Sequence, residues 1–200
     1  ASDSSIIARK IIPEEKAFEG SVYFEDKIAL NENISFSGGI RLSSFLAYGE
    51  KTVMLYDPRV TKSESSVTDS LKFGRGEISE GNFGPEFRAS LNIRTTDRSS
   101  VKLNYNRTRQ NLHLLSNTVS ISPSDTWKLC DYYLKPICGD QFAAGYYIML
   151  FGNRIEASGE VYYKIMRNAF DFKGGTRLVM NEKIETDVLP VKGKAYGLEL

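Results

Sequence analysis

The chain has 200 residues, of which 26 are Lys or Arg, 25 are Asp or Glu and one is His, so its formal net charge is +1. Because basic and acidic residues are balanced and interleaved, the sequence offers no electrostatic basis for binding nucleic acid or another polyanion. No stretch approaches the roughly 20 apolar residues that a membrane-spanning helix needs. The first residues also lack the charged and apolar segments of a signal peptide.

Seven segments alternate polar and apolar residues, and this alternation predicts strands with one apolar face. The predicted strands are residues 18–30, 34–48, 84–95, 100–114, 141–151, 155–166 and 194–200. The pattern is clearest where Phe87, Leu91 and Ile93 alternate with Arg88 and Asn92. Alternation alone favours equally a sheet with one face on a protein core and a sheet with one face in lipid.

Short and long connections alternate between the predicted strands. The short turns are residues 31–33, 96–99 and 152–154, and the long connections are residues 49–83, 115–140 and 167–193. Successive connections of an antiparallel meander lie at opposite ends, so the long ones are predicted to project from one end of the sheet. Bacterial outer-membrane barrels have this arrangement, with short periplasmic turns and long extracellular loops. The connection lengths therefore favour a sheet that faces lipid.

The strand count predicts an incomplete barrel. Seven is odd, whereas bacterial single-chain barrels have an even number of strands. Residues 1–16 have the composition of a loop, and residues 193–200 stop within a strand pattern. We therefore expect residues 1–200 to form one segment of a larger barrel.

Several stretches resemble the barrel of TonB-dependent outer-membrane receptors. These stretches are residues 104–107, 112–118, 135–136, 140–141, 145–146, 160–164 and 193–199. Their order and spacing resemble that family over nearly the whole chain, most strongly over residues 84–200. The sequence is most similar to the branch whose members carry a carboxypeptidase-regulatory-like domain ahead of the plug.

The resemblance implies an all-β, antiparallel up-and-down segment of a transmembrane barrel of about 22 strands in the cell outer membrane. It implies import of a scarce ligand, which would be a siderophore, cobalamin or a glycan, with energy transduced by TonB. The implied partners are outer-membrane lipid, the plug domain of the same full-length chain, the TonB complex and the small-molecule or glycan ligand. A plug, a TonB box and a signal sequence are missing from these 200 residues, so we do not expect this segment alone to be an energised transporter.

A soluble or secreted β-rich module for binding or adhesion is the alternative hypothesis. In such a module the apolar strand faces would form a protein core, whereas in a receptor they would meet lipid. Whether protein covers the apolar faces distinguishes the two hypotheses.

Aromatic and arginine side chains in two long connections are the predicted ligand contacts, because these residue types dominate recognition surfaces. They are Tyr56, Arg59, Phe73, Arg75, Trp127, Tyr132 and Tyr133. The alternative is that these loops only shield the rim of the barrel.

No catalytic or metal-binding motif is evident in the sequence, and we expect neither enzymatic activity nor a cofactor. His113 is the only histidine, which excludes a zinc site built from several histidines of this chain and favours a structural or solvated role. Cys130 and Cys138 lie in one predicted loop. Outside the cytosol such a pair favours a loop-closing disulfide worth about 2–4 kcal/mol, and two free thiols are the alternative.

Overall fold

The computed structural model describes residues 14–116, 126–152, 154–174, 176, 181 and 183–200. Its strands are β1 (Lys16–Ala29), β2 (Ile34–Tyr48), β3 (Lys51–Tyr56), β4 (Val67–Phe73), β5 (Ile78–Thr96), β6 (Ser99–Gln110), β7 (Leu112–Leu115), β8 (Thr126–Leu129), β9 (Ile137–Leu150), β10 (Ile155–Phe172) and β11 (Val188–Glu199). One-turn 3-10 helices are formed by Glu64–Ser66 and Ile184–Thr186. Within the described ranges, no helix is long and apolar enough to cross a membrane.

Seven strands form one antiparallel sheet in the order β1-β2-β5-β6-β9-β10-β11. The other strands form two small hairpins, β3–β4 and β7–β8, which belong to the first two long connections. The sheet is therefore the predicted meander, and each of its strands overlaps one that the sequence predicted. The all-β fold class is confirmed.

At the ends next to the long connections, the observed strand boundaries differ from the predicted ones. Strand β5 begins at Ile78, β10 continues to Phe172 and β11 begins at Val188. The predicted strand at residues 100–114 breaks at Asn111, whose carbonyl accepts a hydrogen bond of 2.8 Å from the amide of Cys130. Beyond this point the chain leaves the sheet and pairs with β8. Apolar side chains in these extensions do not alternate regularly with polar ones, so the pattern could not locate the boundaries.

The short turns have the local chemistry of tight hairpins. In the first, the side-chain oxygen of Asn31 accepts bonds from the amides of Asn33 and Ile34 at 2.9 and 2.8 Å. In the third turn, Phe151 and Gly152 have φ values of 51° and 66°. These left-handed conformations match the twist of the two flanking strands. These turns lie at one end of the sheet, and all three long connections leave from the other.

The pairing register places alternate residues of all strands on two consistent faces, because residues directly opposite each other share a face. One apolar row is Phe36, Leu91, Leu103, Ala144, Val161 and Leu198. The adjacent polar row is Ser35, Asn92, Lys102, Gly145, Glu160 and Glu199. Asp26 is an exception, since it lies opposite Gly38 on the apolar face, and nothing in the structure explains it.

No second layer of the described chain covers the apolar face. Phe36, Leu103 and Val161 are 39%, 42% and 52% exposed. A soluble β-sandwich would bury these side chains together, whereas contact with lipid requires them to be exposed. Exposed apolar surface of this extent marks a face that another phase or partner covers.

The buried core lies at the long-loop end instead. Leu115, Leu134 and Ile184 form one cluster, and Phe170, Phe172 and Val188 pack against it. Phe45, Ala47 and Cys130 form a second cluster on the polar side of β2. The long connections thus pack against one another and against the sheet at its long-loop end.

Substitution to arginine on the two faces should have opposite outcomes in the full-length protein. If the apolar face contacts lipid, as the connection lengths predict, Leu91→Arg should destabilise the inserted sheet by about 2–4 kcal/mol. Ser90→Arg is the matched control, because its cross-strand neighbours Ser37 and Asn104 lie on the polar face. Denaturant unfolding in lipid vesicles measures both effects, and equal tolerance of the two changes would contradict the assignment of the faces.

Candidate functional site

The long-loop end carries a folded unit that we call the loop cap, comprising the hairpins β3–β4 and β7–β8, residues 130–136 and residues 183–187. The loop cap is held together by side chains that are distant in sequence. Leu115, Leu134 and Ile184 supply its apolar contacts. These loops therefore form one surface, and residues from different loops can contribute to one site.

Asp131 joins three parts of the loop cap. Its Oδ1 accepts hydrogen bonds from the amides of Tyr133 and Leu134, both at 2.9 Å. Its Oδ2 lies 2.9 Å from Nζ of Lys51 on β3 and 3.4 Å from Nζ of Lys128 on β8. The carboxylate thus fixes the turn at residues 131–134 relative to both hairpins.

The surroundings of Asp131 keep it charged. Burial alone would raise the pKa of this carboxyl, but Lys51, Lys128 and the amide of Leu134 together hold the pKa below its usual range. Removal of its charge would take away one of the two carboxylates that lie beside Lys51 and Lys128 in the described part of the chain, the other being Glu15, and would weaken the bonds from the two amides.

Three of the seven predicted contact residues come together in an aromatic cluster, formed by Tyr56, Tyr132 and Tyr133. The ring centroids of Tyr56 and Tyr133 are 5.7 Å apart, and those of Tyr132 and Tyr133 are 5.0 Å apart. Tyr133 Oη donates to the carbonyl of Met54 at 2.6 Å, and Tyr56 Oη donates to Glu185 at 3.0 Å. These bonds orient the rings and connect residues that are more than 70 positions apart.

Two lysines border the aromatic cluster. Nζ of Lys62 lies 4.0 Å from the ring centroid of Tyr133, and Nζ of Lys135 lies 5.6 Å from that of Tyr132. Burial lowers the pKa of Lys62. Burial, followed by the hydrogen bond to Glu185, raises the pKa of Tyr56, so its hydroxyl stays protonated. Aromatic faces beside ammonium groups can stack on planar rings and attract anionic groups.

The other four predicted contact residues lie elsewhere. The guanidinium of Arg59 pairs with its neighbour Asp57 at 2.8 Å and remains 85% exposed. Phe73 ends β4 at the base of the hairpin, opposite Lys51. Arg75 lies in the turn that leads into β5, and Trp127 lies on β8 opposite Leu114, with 60% of its surface exposed.

His113 and Cys130 form a buried pair that the sequence did not reveal. The distance from His113 Nε2 to Cys130 Sγ is 3.1 Å, and the imidazole stands edge-on to Phe170 at 5.1 Å. Burial lowers the pKa of His113 and raises the pKa of the Cys130 thiol to about 12. Both groups are therefore neutral and out of reach of a substrate, which fits the structural role predicted for His113.

Cys130 and Cys138 are both free thiols in the structure, so the disulfide that the sequence favoured is not formed. The reason lies in their placement. Cys130 is turned into the core beside Phe45 and Ala47, whereas Cys138 lies on β9 opposite Arg109 and Arg167.

The polar face of the sheet carries its own contacts. Tyr147 Oη donates to Glu160 at 3.1 Å, and Nζ of Lys102 lies 4.2 Å from the ring centroid of Tyr147. In contrast, a broad depression on the opposite face is lined mainly by apolar side chains such as Leu91, Leu103 and Val161, and it belongs to the exposed apolar surface. Among the described residues, no group of three or more His, Cys, Asp or Glu is placed to hold a metal ion.

No family model matches the chain, and no curated protein matches it. Among solved structures, it is similar to the closed form of the ferric-catecholate import receptor Fiu from Escherichia coli K12, with a TM-score of 0.54 and 13% identity. The match covers 92% of this chain and 25% of that one, so the chain spans about a quarter of the receptor's length. The likeness shows the fold alone: the meander aligns with a segment of that protein's chain.

Loss of the Asp131 charge should open the loop cap. Within the described residues, Asp131→Asn removes one of the two carboxylates that lie beside Lys51 and Lys128, the other being Glu15, and we expect local destabilisation by about 1–3 kcal/mol. Asp57→Asn is the matched control, because Asp57 pairs only with the exposed Arg59 among the described residues. Hydrogen exchange at the amides of residues 130–134 measures the effect. Unchanged protection in Asp131→Asn would contradict the role of this carboxylate.

Acid should loosen the loop cap through His113. Because burial depresses the pKa of His113 in the folded state, the open state binds the proton first as the pH falls below about 6.5. The free energy of opening should therefore fall from pH 7.5 to pH 5, measured by hydrogen exchange corrected for intrinsic rates. His113→Phe removes the titrating group and should flatten this dependence. The same pH dependence in that variant would show that another group is responsible.

Proposed function

We propose that the chain is part of a TonB-dependent outer-membrane receptor that imports a scarce ligand. The proposal rests on where the apolar side chains lie. The apolar face of the meander is exposed, while the buried core lies under the long loops. Outer-membrane barrels present one apolar face to lipid and gather their long loops on the extracellular side. The likeness to an import receptor supports the same function.

In this proposal the meander is a segment of a barrel of about 22 strands in the cell outer membrane. The apolar face contacts lipid, and the polar face, including Lys102, Tyr147 and Glu160, lines the wet interior that the plug domain of the full-length chain fills. Coupling to the TonB complex takes place through parts of the receptor outside these residues. The branch with a carboxypeptidase-regulatory-like domain remains our proposed placement within the family.

The loop cap is the proposed site of first ligand capture. The aromatic cluster offers rings for stacking, and Lys62 adds positive charge beside them, whereas Lys135 is paired with Glu80 at 2.8 Å. A siderophore with aromatic rings and negative charge suits both features, whereas a glycan would use the rings alone and cobalamin remains a third candidate. A soluble binding module would need a partner that covers the whole apolar face, and no observation favours one.

The proposal is tested in the full-length receptor, in a strain that lacks the chromosomal copy. The protein should resist carbonate extraction from membranes and migrate faster on gels before heating, as inserted barrels do. Uptake should require TonB and should be measured with a ferric-catecholate siderophore, cobalamin and oligosaccharides as separate probes. A receptor that is extracted by carbonate, or whose uptake of every probe is independent of TonB, would refute the proposal.

Substitutions in the aromatic cluster test whether the ligand first binds there. Tyr132→Ala combined with Lys62→Ala should weaken binding of the imported probe by about tenfold or more, because aromatic and cationic anchors each contribute on the order of 1–2 kcal/mol. Trp127→Ala is the matched control, since Trp127 is exposed on β8 and lies apart from the cluster. Equal loss in both variants would show that the cluster has no special role.

A further inference from the structure

The apolar face ends in a group of charged side chains at the long-loop end of the sheet, which we call the outward cluster. The register places Arg107 on β6 and Asp140 on β9 opposite each other and on the same face as Leu103 and Phe142. Lys194 on β11 lies on this face too, opposite Ile165. Arg167 on β10 and Lys192 on β11 complete the outward cluster, each two residues farther toward the long loops.

Aromatic side chains separate the outward cluster from the apolar band. On the same four strands, one aligned row of outward positions is Tyr105, Phe142, Tyr163 and Tyr196. The next outward row toward the long loops is Arg107, Asp140, Ile165 and Lys194. Rings of this kind mark the boundary between the hydrocarbon layer and the headgroups. The outward cluster therefore lies at the depth of lipid headgroups, on the side where the long loops project.

The charge is confined to this end of the four strands. Toward the short turns, the described outward positions are uncharged: Val101, Leu103, Ala144, Tyr146, Ile148, Gly159, Val161 and Leu198. The outward cluster contains four cationic side chains and one carboxylate. It thus presents net positive charge to the headgroup layer.

Asp140 orients the two arginines of the outward cluster. Arg107 Nε donates to Asp140 Oδ1 at 2.6 Å, Tyr105 Oη donates to the same oxygen at 2.8 Å, and Arg167 Nη2 donates to Oδ2. Each guanidinium keeps further N–H donors that pair with nothing among the described residues. The guanidinium of Arg107 also lies over the ring of Phe87, at 5.7 Å from its centroid.

Local backbone structure supports this arrangement. Asn168, which follows Arg167, has a φ of 55° at a bulge between β10 and β11, and its side-chain Nδ2 donates to the carbonyl of Pro136 at 3.0 Å. Lys192 and Lys194 are exposed and form no ion pair within the described residues. Arg109 is not a member, because its guanidinium occupies the space beside Gly84 on the polar side of β5.

We propose that the outward cluster binds the phosphate groups of a phosphorylated glycolipid in the outer leaflet of the outer membrane. The inference rests on the proposed function, since it requires the apolar face to be in lipid. Oriented guanidinium groups bind phosphate through paired hydrogen bonds, and nearby lysines add charge. Basic groups gathered at headgroup depth are the usual means by which membrane proteins recognise phosphorylated lipids. The outer leaflet supplies that chemistry on the long-loop side as the phosphates of lipid A.

The test uses the full-length receptor reconstituted into phosphatidylcholine nanodiscs, with lipid A bearing both phosphates as the probe. Binding is counted by native mass spectrometry, and dephosphorylated lipid A and phosphatidylglycerol are the comparison lipids. Lys192→Gln combined with Lys194→Gln should weaken lipid A binding about twenty-fivefold, because each basic side chain near an anionic lipid contributes about fivefold. Arg88→Gln combined with Lys164→Gln is the matched control, since it removes two cations from the polar face and should leave binding unchanged.

Each outcome decides the inference. Preferential loss of phosphorylated lipid A in the Lys192/Lys194 variant, with the control unchanged, supports it. Equal binding by this variant and the wild type, or equal binding of phosphorylated and dephosphorylated lipid A, overturns it. Phosphatidylglycerol bound as tightly as lipid A also overturns the assignment to a glycolipid. Failure of the wild-type protein to insert into nanodiscs would refute the proposed function itself, whereas an inserted protein with unaltered lipid binding in the variant would refute this inference alone.

Discussion

The hydrogen-bonded register of the seven-stranded sheet is the constraint on which the other features depend. Because side chains alternate with a period of two, a shift of one residue in any strand would move its apolar side chains to the polar face. The observed register aligns Leu91, Leu103 and Val161 in one apolar row and Asn92, Lys102 and Glu160 in the next. This single alignment determines which side chains can meet lipid, which can line an aqueous interior, and where the outward-facing charges begin.

The loop cap is stabilised in a different way, by a few contacts between residues far apart in the chain. Leu115, Leu134 and Ile184 supply its apolar core, and Asp131 supplies its central charge. A unit of this kind has few backbone ladders of its own, so its rigidity depends on these side chains rather than on the sheet. The distinction matters for recognition, because a binding surface on folded loops loses less conformational entropy than one on free loops.

The sequence predicted the sheet well because the evidence for it is local. Alternation around Leu91 and the tight turn at Asn31 each depend on a few neighbouring residues, and both agree with the structure. The loop cap could not be predicted in the same way. The hairpins β3–β4 and β7–β8 are short and mixed in polarity, and the meeting of Tyr56 with Tyr133 depends on contacts that no local pattern encodes. The prediction of a disulfide is wrong for a related reason, since the spacing of the two cysteines in the sequence does not show that Cys130 is turned into the core.

The beginning of strand β9 connects the loop cap with the outward cluster. Asp131 lies in the turn before it and Asp140 near its beginning, and each carboxylate holds two cations from other elements. Asp131 acts on the inner side, where it fixes the loop cap, and Asp140 acts on the outward side, where it orients Arg107 and Arg167. A displacement of the first residues of β9 would therefore disturb the loop surface and the outward cluster together. The loop cap and the outward cluster thus depend on the same part of one strand, although they use different side chains.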